Sequence, residues 1–103
     1  MVDTTRLTRA VDHFADRLRA APQSRLQRNG ATEALALARE LARRAQILEA
    51  PAEEPRVMPD AGMFAVADQI TVAAHDLAVV LESDDQVSEA VGLVEEAQKR
   101  AGV

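Results

Sequence analysis

The chain has 103 residues, no cysteine and a net charge of −5 at neutral pH. This length suits one domain with a single hydrophobic core, and the lack of cysteine excludes disulfides, thiol catalysis and thiolate metal sites. Apolar residues make up 48% of the sequence but aromatic residues only 2%, so the core must consist mainly of aliphatic side chains. An alanine-rich, glycine-poor chain of this kind favours an all-α fold over an all-β one.

The first predicted helix covers residues 4–21. Its apolar positions recur every three or four residues and lie on one face: Leu7, Val11, Phe14 and Leu18. Asp3 or Thr4 can cap its start, and Pro22 ends it.

The second predicted helix covers residues 24–49. Its inward stripe is built from alanine and leucine: Ala34, Leu37, Leu41, Ala45 and Leu48. Asn29 and Gly30 resemble a helix stop, but Leu26 stays on the apolar face if the helix continues through them. We therefore predict one long helix with a weak point at Gly30. Glu40 and Arg44 are spaced for a favourable ion pair on its surface.

A proline-rich linker is predicted at residues 50–59, where three prolines prevent a helix. Its length exceeds that of ordinary bundle connections, which indicates either a crossover or a flexible loop.

The third predicted helix covers residues 61–82, capped by Asp60. Its inward stripe alternates steps of three and four residues: Met63, Val66, Ile70, Ala73, Leu77 and Val80. A second apolar stripe lies between polar rows and consists of Ala65, Val72 and Val79, with Phe64 also off the main face. The helix thus carries more apolar surface than one neighbour can bury, which predicts either a central position or a self-association interface.

The fourth predicted helix covers residues 84–101. Ser83 and Gln86 have the spacing of a capping box, and Gly102 is placed to end the helix. Because the connection before it is short, we expect the third and fourth helices to be antiparallel neighbours. Together these elements predict an all-α, single-domain four-helix bundle over residues 1–103, with up-down-up-down order.

Catalytic and metal-binding motifs are lacking. His13 and His75 are the only histidines, each lies on a predicted solvent face, and no Glu-x-x-His pair accompanies them. The chain has no glycine-rich phosphate loop and no arrangement of a serine with a base. We therefore predict no catalytic residue, no metal site and no cofactor, and a protein that is not an enzyme.

The charge is divided unequally along the chain. Residues 1–49 have a balance of +3 and residues 50–103 a balance of −8. Either the halves pair with each other, or one surface stays free for a charged partner. We expect a polarised surface, because the apolar stripes alone suffice to assemble the bundle.

The arginines of the second helix suggest one candidate partner site. Arg25, Arg28, Arg39 and Arg43 follow one edge, which we call the arginine edge, and arginine grips phosphate groups well. Binding of nucleic acid or another anion is therefore an alternative function. The net charge of −5 and the lack of aromatic residues along this edge count against it.

Our main functional prediction is a small, non-enzymatic interaction or regulatory protein that self-associates through its third helix. Besides the arginine edge, a second alternative is a carrier of a small apolar ligand, with Phe14, Met58, Met63 and Phe64 at the pocket mouth. The start of the sequence lacks the apolar core of a secretion signal, and no apolar run reaches the ~20 residues that cross a bilayer. A cytoplasmic protein without membrane contact is expected, and the excess of arginine over lysine is typical of a GC-rich bacterium.

Overall fold

The computed structural model describes residues 2–103; Met1, the first residue of the predicted domain, lies outside this range. Within it the chain forms four helices and no strand, which confirms the predicted all-α four-helix bundle. The helices are α1 (Thr5–Ala20), α2 (residues 23–49), α3 (Val66–Val80) and α4 (Asp84–Ala101). In the described part of the chain, no helix is long and apolar enough to cross a membrane.

Helix α2 is continuous, with one irregular turn. An α-helical turn at Gln23–Arg25 leads into a π-helical turn at Leu26–Gly30, and a regular α-helix follows at Ala31–Glu49. Gly30 is buried and keeps helical angles, with φ −57° and ψ −51°. The predicted single helix is confirmed, and its weak point at Gly30 takes the form of this π turn. In a π turn the backbone hydrogen bond spans five residues instead of four, so the helix continues without a break.

The predicted helix caps around α4 are present. The Ser83 hydroxyl accepts a hydrogen bond from the Gln86 amide at 3.2 Å, and the Gln86 side chain accepts one from the Ser83 amide at 3.2 Å. Gly102 ends the helix with φ 72°, in the left-handed region that glycine adopts without strain.

The cap of helix α1 comes from Asp3, which lies one residue before the N-cap position at Thr4. The Asp3 carboxylate accepts a hydrogen bond from the Thr5 amide at 2.9 Å, whereas the Thr4 side chain forms no cap bond. Hydrogen bonding from the Thr5 side chain, the largest cause, and from the Thr5 backbone amide lowers the pKa of Asp3. A carboxylate here also suits the positive end of the helix dipole.

Helix α3 is shorter than the predicted 61–82. Asp60 does not cap it; its carboxylate accepts a hydrogen bond from the Gly62 amide at 2.8 Å, and Gly62 has φ 95°. A turn of this kind diverts the backbone from helical geometry, so α3 begins only at Val66. At the other end Leu81 is already extended, with ψ 141°. The predicted linker of residues 50–59 accordingly extends to residue 65.

This linker runs back along α2. Gln46, near the end of α2, is hydrogen-bonded to Arg56, and Arg39, two turns earlier, donates to the Met58 carbonyl at 2.8 Å. The linker therefore travels from the end of α2 towards its middle. Residues 50–65 are numerous enough for this return, because an extended residue spans up to ~3.3 Å.

Helix α3 consequently runs parallel to α2. Gln69, in its first turn, donates to the Pro59 carbonyl at 2.9 Å beside the middle of α2. Leu77 and Leu81, at its other end, lie beside Ile47 and Leu48 at the end of α2. The predicted up-down-up-down order is therefore wrong for this helix: the linker is a crossover.

The remaining helix directions follow from three ion pairs. Arg19 near the end of α1 contacts Asp68 near the start of α3 at 2.7 Å, so these two helices are antiparallel. Arg44 with Glu89, at 2.8 Å, and Glu33 with Arg100, at 2.9 Å, make α2 and α4 antiparallel. The order is thus up-down-down-up.

The predicted pairing of the third and fourth helices as neighbours is also wrong. Helices α3 and α4 each pack mainly against α1 and α2 rather than against each other. They lie on opposite corners of the bundle, because the crossover inserts α3 on the far side of α2 from α4.

One contiguous core joins the four helices. The predicted stripe of α1 is buried as expected, and Phe14 is completely inaccessible to solvent. Of the predicted α2 stripe, only Leu48 is half-buried, at 37% exposed, since it lies at the open end of the bundle.

Candidate functional site

The most exposed apolar side chains of the helices lie on the side of α3 that faces away from the bundle. Phe64 is 75% exposed, Val72 57% and Val79 84%, whereas Ala65 is partly covered. We call these four residues the α3 outer face. They are the residues that sequence periodicity selected for self-association.

The geometry of α3 explains why these side chains stay uncovered. The opposite side of the helix is fully occupied by core residues: Val66, Ala67, Ile70, Ala73, Ala74 and Leu77. Val72 and Val79 are two turns apart, so they project in nearly the same direction. Phe64 precedes the helix in the turn before it, which places it at one end of the outer face rather than within it.

Polar residues lie among those of the α3 outer face. Asp68, His75 and Asp76 are exposed on the same side of the helix. Asp68 is held by Arg19 at 2.7 Å, which neutralises one of the two carboxylates. His75 and Asp76 lie between Val72 and Val79 along the helix, so apolar and polar side chains alternate on this surface, and both kinds of residue occur at protein contacts.

The arginine edge does not present four free guanidinium groups. Arg25 donates to the Gly102 carbonyl at the end of α4, and Arg39 donates to the Met58 carbonyl in the linker. Arg43 binds Glu40 through two hydrogen bonds, of 3.0 and 2.8 Å. Only Arg28 forms no side-chain hydrogen bond or ion pair within the described residues.

Glu40 organises the charges at the middle of α2. Besides Arg43 it accepts a hydrogen bond from Arg44 at 2.6 Å, and Arg44 also donates to Glu89 of α4 at 2.8 Å. The hydrogen bonds from Arg43, the largest cause, and from Arg44 lower the pKa of Glu40 to about 2, against the effect of partial burial. The carboxylate therefore stays ionised, and the predicted pair of Glu40 with Arg44 is confirmed.

Several arginines of the first half contact the second half of the chain. Arg6 donates to the Ser88 hydroxyl at 2.8 Å, and Arg19 and Arg44 pair with carboxylates of α3 and α4. The unequal distribution of charge along the sequence is thus used partly for contacts between the halves. Each such surface pair contributes only ~0–1 kcal/mol.

The proposed pocket mouth of Phe14, Met58, Met63 and Phe64 does not form. Phe14 is completely buried in the core, whereas Phe64 is largely exposed, so the two do not line one opening. Met63 instead contributes to a groove between the start of α3 and the first half of α2.

Sequence periodicity missed a second apolar surface, at the end of the bundle where α2 and α3 finish and α4 begins. Ile47 and Leu48 are 39% and 37% exposed and border an open cavity of about 280 Å³. The sequence contains one indication of this surface. Ile47 and Leu48 are adjacent at the end of a helix, and one buried stripe can cover only one of two adjacent residues.

The two histidines lie apart. His13 is exposed on α1 beside Glu95 and Lys99 of α4, and His75 is exposed on the α3 outer side. Across residues 2–103, no three histidine or carboxylate side chains come together in a way that could hold a metal ion.

No protein-family model, no curated protein and no solved structure matches this chain.

Proposed function

We propose that this protein is a non-enzymatic helical interaction protein that self-associates through the α3 outer face. The observation that carries the proposal is the exposure of Val72 and Val79 on one side of α3, with Phe64 exposed in the turn before the helix. The setting we propose is the bacterial cytoplasm, and a regulatory role would follow from a change in the association state.

The distribution of exposed apolar side chains supports this proposal. Six large apolar side chains are exposed among the described residues, and three of them belong to the α3 outer face. Exposed apolar side chains that are gathered on one side of a small protein mark an interaction site more often than scattered ones do. A second copy would remove this surface from water without any rearrangement of the core.

A symmetric pairing suits the sequence of α3. If two copies of the helix pack antiparallel about a two-fold axis, Val72 of one copy lies opposite Val79 of the other. The axis then passes beside His75 and Asp76, and the histidine of each copy approaches the carboxylate of the other. The apolar contacts would supply affinity, and the polar pair would fix the register.

Sedimentation velocity from micromolar to millimolar concentration tests the proposal. The parent should form a dimer or higher oligomer, and a combined Val72→Asp, Val79→Asp variant should be monomeric with little loss of thermal stability, because both side chains are exposed. Ser24→Asp adds one negative charge at an exposed position outside α3 and should leave association unchanged. A parent that remains monomeric at all concentrations contradicts the proposal.

Disulfide trapping tests the register. Since the chain has no cysteine, a His75→Cys variant carries a single thiol close to the proposed axis. Mild oxidation should give a covalent dimer in high yield. Asp12→Cys, at an exposed position on α1, should give little. Equal yields from the two variants would exclude this register.

A further inference from the structure

A groove between the first half of α2 and the start of α3 combines an apolar lining with one positive and one negative side chain. Its volume of about 540 Å³ is in the range of small-molecule sites. Among the described residues, Arg39 and Asp60 are the only charged ones that line it, and neither Val72 nor Val79 contributes. We call it the α2–α3 groove. Six apolar residues line it: Leu26, Ala31, Leu35, Ala36, Met63 and Val66.

Both charged side chains keep hydrogen-bonding atoms available. The Nε of Arg39 donates to the Met58 carbonyl at 2.8 Å, but the two terminal nitrogens of its guanidinium have no hydrogen bond or ion pair within residues 2–103. One carboxylate oxygen of Asp60 accepts a hydrogen bond from the Gly62 amide at 2.8 Å, and the other has no partner in the same range. A ligand in the groove can therefore bond to both side chains without breaking a contact of the protein.

The two charges are near each other without forming an ion pair. Arg39 is bonded to the carbonyl of Met58, and Asp60 follows two residues later, so the Cα atoms of Met58 and Asp60 are at most ~7.6 Å apart. A molecule that carries both a carboxylate and an ammonium group can satisfy a cation and an anion at such a spacing. A simple anion or cation can satisfy only one of them.

The structure of α2 contributes to the shape of the groove. Leu26 and Gln27, which line it, belong to the π turn, and single π turns are frequent at functional sites. Ala31 and Ala36 follow along the same helix, and their short side chains leave space above its surface. The groove thus has room for an apolar side chain beside its two charges.

We propose that the α2–α3 groove binds a small zwitterion with an apolar side chain, of which a free α-amino acid such as leucine is the simplest. The ligand carboxylate accepts hydrogen bonds from the terminal nitrogens of Arg39, and the ammonium group donates to Asp60. The apolar side chain lies against Leu35 and Met63. Hydrogen bonds between charged groups are stronger than neutral ones, and burial of the apolar part adds to them. This site is independent of self-association through α3.

Three probes of similar shape test the proposal. L-leucine carries both charges, 4-methylpentanoate lacks the ammonium group, and L-leucinamide lacks the carboxylate. The probes are titrated at about pH 6, where the amino groups are protonated, and the amide chemical shifts of Ala36 and Met63 report on binding. L-leucine should bind at least ~tenfold more tightly than either analogue, because each analogue lacks one charge-assisted hydrogen bond.

Two variants assign the charges to their partners. Asp60→Asn keeps an oxygen for the Gly62 amide, and should weaken L-leucine ~tenfold while changing 4-methylpentanoate less than about twofold. Arg39→Gln keeps a donor for the Met58 carbonyl, and should weaken L-leucine ~tenfold while changing L-leucinamide less than about twofold. Each variant therefore loses the discrimination between L-leucine and one analogue, which a purely structural effect would not produce.

Matched controls lie outside the groove. Asp12→Asn and Arg28→Gln make the same changes at exposed positions that do not line it, and both should bind L-leucine as the parent does. Ala36→Phe places a large side chain at an exposed lining position and should abolish binding. Thermal unfolding of each variant establishes that it is folded.

Three outcomes would overturn the proposal. The first is the absence of a saturable shift in the parent at ~10 mM L-leucine. The second is equal affinity of the parent for the three probes, which would mean that the groove is an apolar surface without charge recognition. The third is unchanged L-leucine affinity in both Asp60→Asn and Arg39→Gln. The Val72→Asp, Val79→Asp variant should bind L-leucine as the parent does, so failure of the self-association proposal leaves this one intact.

Discussion

The side-chain amide of Gln46 is hydrogen-bonded to both backbone polar groups of Arg56. Its nitrogen donates to the Arg56 carbonyl at 2.9 Å, and its oxygen accepts from the Arg56 amide at 2.8 Å. One side chain thus binds the linker much as a neighbouring strand would, and fixes the path that brings α3 parallel to α2.

Removing this clamp should expose the linker to proteolysis. In a Gln46→Ala variant, trypsin should cut after Arg56 about tenfold faster than in the parent, because two hydrogen bonds of ~0.5–1.5 kcal/mol each oppose local opening. Mass spectrometry of the first fragments measures the rate. Gln98→Ala removes a similar side-chain bond to the Val103 carbonyl at the other end of the bundle and serves as the control. Equal rates in the parent and Gln46→Ala would contradict the clamp.

Phe14→Ala should be strongly destabilising. Phe14 is completely buried, and it is the only aromatic side chain in the core, so truncation leaves a cavity that small neighbours cannot fill. We expect a loss of ~3–5 kcal/mol in the free energy of unfolding, measured by urea denaturation. Phe64→Ala is the matched change at an exposed site and should cost little. A parent-like midpoint for Phe14→Ala would mean that α1 presents a different face to the core.

Stability should fall with acidification through Glu40. Its pKa in the folded protein is about 2, below the ordinary 4.5, so the stabilisation is present above pH 4.5 and is lost as the pH falls towards 2. Glu40→Gln should therefore lower the free energy of unfolding by ~1 kcal/mol at pH 7, and the difference from the parent should shrink between pH 4.5 and 2.

Urea denaturation of both proteins across this pH range measures the effect. Glu95→Gln removes an exposed carboxylate outside these ion pairs and should follow the parent at every pH. A gap between the parent and Glu40→Gln that stays constant down to pH 2 would contradict the assignment.

Two glycines inside helices should respond differently to alanine. A Cβ at Gly92 of α4 would meet no atom within 4 Å, so Gly92→Ala should stabilise the protein by ~0.5–1 kcal/mol. A Cβ at Gly30 would lie 3.3 Å from the Arg25 carbonyl oxygen and 3.3 Å from a Leu26 methyl group. Gly30→Ala should therefore gain less, or destabilise. Thermal unfolding compares the two, and a larger gain at Gly30 would contradict the close packing in the π turn.

The predictable part of the fold rests on local patterns. The stripe of Leu7, Val11 and Phe14, and the capping box at Ser83, are properties of neighbouring residues, and both are found as expected. The direction of α3 was not predictable in this way. It depends on hydrogen bonds between Gln46 in α2 and Arg56 in the irregular linker, which are ten residues apart in the sequence. The start of α3 was missed because Asp60 suits both a helix cap and the turn that it forms with Gly62.

The candidate sites show the same difference between local patterns, which the sequence predicts, and contacts between distant residues, which it does not. Periodicity identified Val72 and Val79 because exposure on a helix follows from its period. The apolar surface around Ile47 and Leu48 is assembled from the ends of three helices, so no single stretch of sequence carries its pattern. The sequence predicted four available arginines along the arginine edge for a related reason. It does not show that the Arg39 side chain donates a hydrogen bond to a backbone carbonyl in the linker.

The arrangement of the four helices has a consequence for how the protein folds. Helices α1 and α2 lie on opposite corners of the bundle, as do α3 and α4, so each half of the chain finds its main packing partners in the other half. Neither α1 with α2 nor α3 with α4 can then form a compact intermediate alone. The two halves of the chain must come into contact before either buries much of its apolar surface. Because residues 1–49 and 50–103 carry opposite net charge, that meeting is between mutually attracting segments. A chain cut within the linker should for this reason yield two fragments that are unfolded apart and reassemble when mixed.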